Sequence, residues 1–374
     1  MKIVIATDSF KGTLRADEVC DIISDEITKY LSGVVVIKKP MADGGEGTAK
    51  ALMTATGGEW IPREVMGPLE AMRVKAGFVW LPDKTAVVEM ATASGIELLL
   101  PEQMNPIKTT TYGAGELIKS AVEYGARKIL LAVGGSATVD GGVGAAIAMG
   151  WTFLNNNDEP APLGGGGLER IAKIVQPSTD KAKRIPVEVL CDVDNPLCGT
   201  NGAARIYGPQ KGATPKMVER LETGLAHLAQ LVRDQLHRDI ANLPGAGAAG
   251  GLAAGAIAFM NATVVSGIET VMLHSNLRKE LESADWVITG EGCFDHQSLS
   301  GKVVAGVIKM ARETDTRIVV LAGQVNLPPK EYSKLGIEVA ISTKPDNMPI
   351  VEALKNSREL LRFAARHFVE KYLF

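Results

Sequence analysis

ILLAVGGSATVDGGVGAAIAMG, residues 129–150, joins a buried-strand pattern to a glycine-rich loop and then to a helix of small residues. Gly134, Gly135, Gly141, Gly142 and Gly144 remove Cβ atoms where the backbone turns sharply, so successive N–H groups can point at one oxyanion near a helix start. The loop also carries two hydroxyl donors, Ser136 and Thr138, and one carboxylate, Asp140, suited to holding a cation or orienting a substrate hydroxyl. The stretch predicts strand, phosphate-binding loop and helix. A turn whose glycines only permit close packing is the alternative.

The same rhythm recurs along the chain. Residues 2–7 read as a strand, and Val19, Ile22, Ile23, Ile27, Tyr30 and Leu31 then fall at helical spacing. Between them DSFKG sets Asp8 and Lys11 at the carboxyl end of the strand, where open α/β sheets bind ligands. A second strand at 34–38 runs into MADGGEGT, whose Asp43 and Glu46 suit a hard cation such as Mg2+; a solvated acidic turn is the bland reading. Residues 73–100 read as β-rich, with Ser94 and Gly95 closing a strand-like run, and 109–125 as a helix ended by Gly125. GGGG at 164–167 reads as a mobile loop. An apolar run at 185–191 leads to Asp192 and Asp194, again at a strand end. Lys211 is a phosphate contact or a solvated turn lysine, and beyond it Thr214 caps and Pro215 opens a long amphipathic helix. Strands at 285–290, 317–322 and 337–342 close the chain, with Glu291 and Asp295 following the first and Lys302 opening the next helix.

Composition narrows the classes. At 374 residues the chain is long enough for two domains. A net charge of −3 offers no attraction to nucleic acid or anionic membrane, and small molecules are the expected partners. The four cysteines have neither metal-ligand nor secreted-scaffold spacing and read as reduced thiols of a cytoplasmic protein. The uncharged run 240–268 is broken by Pro244 and made largely of Gly and Ala, so it is not read as a membrane span. GAGAAG at 245–250 matches G-x-G-x-x-G, but no strand precedes it, which disfavours an NAD-binding dehydrogenase. No GxxxxGK[ST] occurs, so a P-loop enzyme is excluded.

Taken in order, ATDSFKGTL, MADGGEGT, VEMATASGIELL, GAGELI, VGGSATVDGGVGAA, CDVDNPLCGTNGAARIYGPQKGATP, GAGAAGGL and ITGEGCFDHQSLSGK resemble the bacterial glycerate kinase family, in its glycerate 2-kinase type 1 branch, over nearly the whole chain. The resemblance implies an α/β fold of two α/β domains. A flavodoxin- or Rossmann-like domain from both chain ends (1–70 plus 282–374) carries a second domain (71–281) inserted into it, with a cleft between them. It implies ATP-dependent phosphorylation of D-glycerate to 2-phosphoglycerate, with ATP and Mg2+ required. Departures are local: Thr7 stands where Pro is usual, Arg15 for Ser, Cys293 and Phe294 for Arg and Ile, and Ser298 for Thr. The family's carboxylates and lysines carry over onto Asp8, Lys11, Asp43, Glu46, Asp140, Asp192, Asp194, Lys211, Glu291, Asp295 and Lys302.

The expected roles follow. Asp192 or Asp140 accepts the substrate proton, with Lys11 and Asp8 as further catalytic residues. Gly134, Gly135, Ser136, Thr138, Lys211 and Lys302 hold the phosphates of ATP. Ser94, Asp194 and Asp295 bind the substrate, and Asp43, Glu46 and Glu291 the metal. A kinase making 3-phosphoglycerate, one acting on another small hydroxy acid, and a non-catalytic two-lobed binder are the rival readings. The sequence leaves a homodimer open.

Overall fold

Parallel strands covered by helices on both faces bury both sets of side chains, and three runs here, KIVI, WVIT and RIVVLA, are apolar almost throughout. The computed structural model describes residues 1–178, 185–299 and 302–374. Ser300 and Gly301 of the CFDHQSLSGK motif lie outside the described residues. In chain order the strands are β1 (Lys2–Ile5), β2 (Val35–Lys38), β3 (Glu59–Met66), β4 (Arg73–Trp80), β5 (Thr85–Glu89), β6 (Lys128–Ala132), β7 (Thr152–Leu154), β8 (Lys173–Val175), β9 (Val187–Leu190), β10 (Thr263–Val265), β11 (Trp286–Thr289), β12 (Cys293–Phe294), β13 (Arg317–Ala322), β14 (Gln324–Val325) and β15 (Ile337–Ser342).

They divide between two compact units. The first comprises Met1–Asp43, Lys50–Gly57 and Ile268–Phe374, and the second Gly44–Ala49 and Gly58–Gly267. The first unit holds a parallel sheet of order β15-β13-β11-β1-β2, built from both chain ends at the strands the sequence predicts. One face packs on the helices Ala16–Tyr30 and Ser357–Tyr372 through Ile3, Ile5, Ile23, Ile288, Leu361 and Phe368. Phe368 lies edge-on to Trp286 at 5.2 Å, and the Arg317 guanidinium covers the indole at 3.8 Å.

The second unit holds a mixed sheet of order β10-β9-β6-β5-β4-β3, parallel from β10 to β5 and antiparallel from β5 to β3. The crossover from β5 to β6 runs through the helix Tyr112–Tyr124, which Gly125 ends with φ 105°, as a parallel connection demands. The helix Pro215–Leu236 starts as the sequence predicts, with Thr214 Oγ1 accepting from Met217 N at 3.4 Å. Among the described residues no helix is long and apolar enough to cross a membrane.

Local expectations change in four places. Residues 91–94 form a helical turn, because β5 ends at Glu89 and the chain turns off toward its crossover. The edge strand β3 escapes sequence reading: Pro62 breaks its pattern, which an edge position tolerates. By pairing with β4 over eight residues, β3 falls in the second unit, short of the boundary expected at 70. At the far end the helix Gly267–His274 packs Ile268 and Met272 against Gly306, so 268–281 fall in the first unit. GGGG at 164–167 is a packing turn: Gly165 N and Gly166 N donate to Pro106 O and Ile107 O, and a Cβ on Gly167 would collide with Pro162 O.

Phe368→Ala removes the largest side chain that the C-terminal helix buries. A loss of about 3–5 kcal/mol of stability is expected in chemical denaturation; a loss below about 1 kcal/mol would mean that this helix is not part of the first unit's core.

Candidate active site

A parallel sheet delivers the residue after every strand to one edge, so strand ends gather side chains that are far apart in sequence. In the first unit the ladder runs past the strands: Ala6 N donates to Ile288 O (2.7 Å), Asp8 N to Gly290 O (2.9 Å) and Met41 N to Thr7 O (2.9 Å). Asp8 follows β1, Asp43 lies beyond β2 and Glu291 beyond β11, on three adjacent strands of the sheet. A Cβ on Gly290 would collide with Leu321 O of β13, which explains the glycine of TGEG by packing alone.

Charge reflects this crowding. Burial pushes the half-buried Asp8 carboxyl up to about 6, with Asp43 and Glu291 adding and the Ser9 amide and Lys11 opposing. Burial also pushes Glu291 up, with Asp295 adding, while Ser298, Lys302 and Lys11 oppose. Glu291 Oε1 is buried and finds no hydrogen-bond partner among the described residues. Asp295 caps the turn His296–Leu299: its Oδ1 accepts from Gln297 N (2.8 Å) and Ser298 N (3.3 Å), which hold its carboxyl below the ordinary range. Lys302 is half-buried at the N-terminus of the helix Val303–Glu313, and Lys11 is exposed. Asp8, Lys11, Asp43, Glu291, Asp295 and Lys302 thus share one edge of the first unit.

The loop at 133–142 does something other than what its glycines suggest. The short helix Val143–Ala148 does follow β6, but the anion at its start is the protein's own. Asp140 is wholly buried; its Oδ2 accepts from Thr111 N (2.8 Å), Thr111 Oγ1 (2.9 Å), Gly144 N (3.3 Å) and Thr110 Oγ1 (3.3 Å), and its Oδ1 from Gly142 N (3.1 Å). Burial pushes its carboxyl up and these donors work against that. Gly142 and Gly144 therefore serve an internal carboxylate. Gly141 N donates to Gly250 O, and Cβ atoms on Gly250 and Gly255 would collide with Thr138 O and Gly141 O respectively, so GAGAAGG is a close-packing surface for this loop.

Lys211 is no solvated turn lysine. It is 3% exposed, and its Nζ donates to Ser136 Oγ (2.6 Å) and Thr138 O (2.8 Å). Burial lowers its ammonium to about 7, against the pull of Asp140. Ser94 packs beside the same loop, its carbonyl accepting from Ala137 N (2.9 Å) while Ile96 N donates to Gly135 O (2.8 Å). Ser94 Oγ and Thr138 Oγ1 are buried hydroxyls with no partner among the described residues. Asp192 and Asp194 are exposed, and Asp192 Oδ1 accepts from Ser266 Oγ (2.7 Å) and Gly267 N (3.1 Å). Glu46, grouped by sequence with Asp43, belongs to the second unit; burial and Glu97 push its carboxyl up.

Two participants escaped the sequence reading. Thr111, whose hydroxyl bridges Asp140 and Ala145 N, was signalled only by a TTT run ahead of a helix. Glu89 is 7% exposed at the end of β5, pushed up to about 7 by burial and by Glu46. Its signal was one charge inside the apolar run AVVEMA.

The sequence profile of the glycerate kinase family matches residues 3–373. A protein named glycerate kinase from Halalkalibacterium halodurans is 41% identical over 367 residues, covering 98% of this chain and 96% of its own. One named glycerate 2-kinase from Escherichia coli K12 is 40% identical over 369 residues, covering 98% and 97%. A crystal structure of a provisionally assigned glycerate kinase 2 from Salmonella typhimurium LT2 is similar to this chain with a TM-score of 0.87 at 41% identity, covering 99% of this chain and 97% of that one.

Lys211 makes a pH dependence measurable. Its amine releases its proton near pH 7 in the folded chain and near 10.5 in a free lysine. Between these values the unfolded chain binds the extra proton, so stability rises with pH from about 7 to 10.5, and the contribution is lost on descending that range and flat below it. The wild type is expected to gain at most about 5 kcal/mol between pH 7 and 10.5 from this group. Lys211→Met is expected to lose that slope in urea unfolding across the range, and parallel curves for the two proteins would rule the group out as its source.

Proposed function

The chain belongs to the glycerate kinase family, and we propose that it transfers the γ-phosphoryl group of ATP to D-glycerate, giving 2-phosphoglycerate. The full-length family match carries this reading. The polar groups at the carboxyl edges of both sheets support it, since phosphoryl transfer needs positioning and charge neutralisation more than covalent chemistry. The division into a domain from both chain ends and an inserted one is part of the same reading.

Within it, Asp192 takes the proton of the attacking hydroxyl. Asp140, the other residue expected for that task, is wholly buried with both oxygens accepting from the protein, whereas Asp192 is exposed. Lys211, Ser136 and Thr138 bind phosphate, the buried ammonium being a point charge in a region of low dielectric. Lys302 serves the same end from the start of its helix, beside backbone N–H groups that favour anions. Ser94, Asp194 and Asp295 remain proposed substrate contacts, with Asp8 and Lys11 as supporting charges.

Magnesium fits the residues present. Asp8 is raised by burial and by the neighbouring carboxylates, Glu291 Oε1 is buried without a partner among the described residues, and a dication beside them would relieve both. Among the described residues no group of three acidic, His or Cys side chains could hold a metal by itself; a hard cation here would take one or two carboxylates and complete its shell with phosphate oxygens and water. Asp43 and Glu291 of the first unit are the proposed ligands, and Glu46 keeps its proposed part in handling the charge of the reaction. Bound there, the ion would neutralise charge building on the transferred phosphoryl group. All four cysteines are free thiols, which supports a reducing, cytoplasmic setting.

Incubation with D-glycerate, ATP and Mg2+ followed by phosphorus NMR is expected to show 2-phosphoglycerate. A 3-phospho product would correct the regiochemistry, and no phosphoglycerate would sink the proposal. Asp192→Asn is expected to lower kcat by about two to four decades with the fold intact; a near-wild-type kcat would remove Asp192 from the base role.

A further inference from the structure

Three parallel neighbours of the second sheet converge on the short segment Gly44–Ala49. Where β9 ends, Leu190 O would lie 2.9 Å from a Cβ on Gly44. Just past β6, a Cβ on Gly134 would collide with Gly45 Cα. At the end of β5, Glu89 Oε1 accepts from Thr48 N at 3.2 Å, and its carboxylate also takes the Gly47 amide. The glycines on one side admit the segment by lacking side chains, so they hold it by shape. Glu89 holds the other side by hydrogen bonds. Between these supports stands Glu46, exposed to solvent.

A carboxylate this deep is costly unless its lone pairs are used. The rest of β5, Thr85–Val88, is wholly buried, so an apolar residue would suit position 89 if packing were its only task. The acceptor oxygens instead meet two consecutive amides at the start of the helix Thr48–Thr56, where N–H groups need acceptors. We infer that Glu89 is a positioning residue that fixes Gly47 and Thr48 at the carboxyl ends of β5, β6 and β9 and so sets the place of Glu46 in the reaction. It acts through Glu46 and touches no substrate. The inference rests on the kinase reading for its kinetic consequence, while the anchoring itself does not.

Wild-type turnover of D-glycerate and ATP is measured first, which tests the kinase reading alone. Glu89→Ala, Glu89→Gln, Glu46→Ala and the double alanine variant are then compared by steady-state kinetics and by hydrogen–deuterium exchange of peptides covering 44–49. Glu89→Ala is expected to lower kcat about 10- to 100-fold and to raise exchange at 44–49 while exchange in β6 and β13 stays as in wild type. Glu89→Gln keeps one acceptor oxygen and is expected to recover most of the loss, which a fold-wide defect would not allow. On the Glu46→Ala background, Glu89→Ala is expected to cost nothing further, because residues acting as one unit are not additive. Losses that multiply, or unchanged exchange at 44–49 in both Glu89 variants, would overturn the inference. If the wild type proves inactive toward glycerate, the exchange comparison still decides whether Glu89 anchors the loop.

Discussion

A buried carboxylate dictates how the centre of the second unit is built. Asp140 is wholly buried, and a carboxylate removed from bulk solvent without donors costs several kcal/mol. It finds them in two places far apart in sequence, Thr110–Thr111 and Gly142–Gly144. The Thr111 hydroxyl extends the network to Ala145 N. One anion thus ties the start of the helix Tyr112–Tyr124 to the start of the helix Val143–Ala148. The loop between β6 and that second helix is held at its far end, and Ser136 and Thr138 can then be presented to Lys211 in one arrangement.

The buried ammonium of Lys211 follows from the same network. Alone, a lysine 3% exposed would shed its proton readily. The nearby Asp140 charge pulls the other way, so anion and cation each moderate the cost of the other's burial without touching. Side chains set this way cannot rearrange cheaply. The first unit solves a different problem, with like charges brought together at strand ends. Asp8, Asp43 and Glu291 lie at the ends of adjacent strands, and Asp8 rises to about 6 through its burial, with Asp43 and Glu291 adding to the rise.

Much of this was legible from the chain. β1, β11 and β13 of the first sheet were visible because a parallel strand buried on both faces is a plain apolar run, while the half-buried edge strands β2 and β15 were visible from their β-branched residues. The split assembly of that unit from both chain ends came with the family resemblance. β3 was missed because edge strands alternate weakly and tolerate Pro62, and the boundary expected at 70 moved with it. Candidate carboxylates could be found by asking which charges follow strands, since topology alone brings strand ends together. Their division was not legible: Glu46 and Asp43 are three residues apart, yet they belong to different units. Spacing along the chain says nothing about which strand ends a loop leans on.

Glycine was the most ambiguous letter. The absence of a Cβ permits an amide to reach a phosphate, and equally permits one backbone to lie against another. In the loop after β6 the second use dominates: Gly134 makes room for Gly45, and Gly141 and Gly142 meet the glycines of the helix Ala248–Met260. The two uses differ in where the N–H groups go. An amide that already donates to Asp140 or Gly250 O has no hydrogen left for a ligand. The glycines also let side chains pack deep, where the buried Lys211 ammonium donates to the Ser136 hydroxyl and the Thr138 carbonyl.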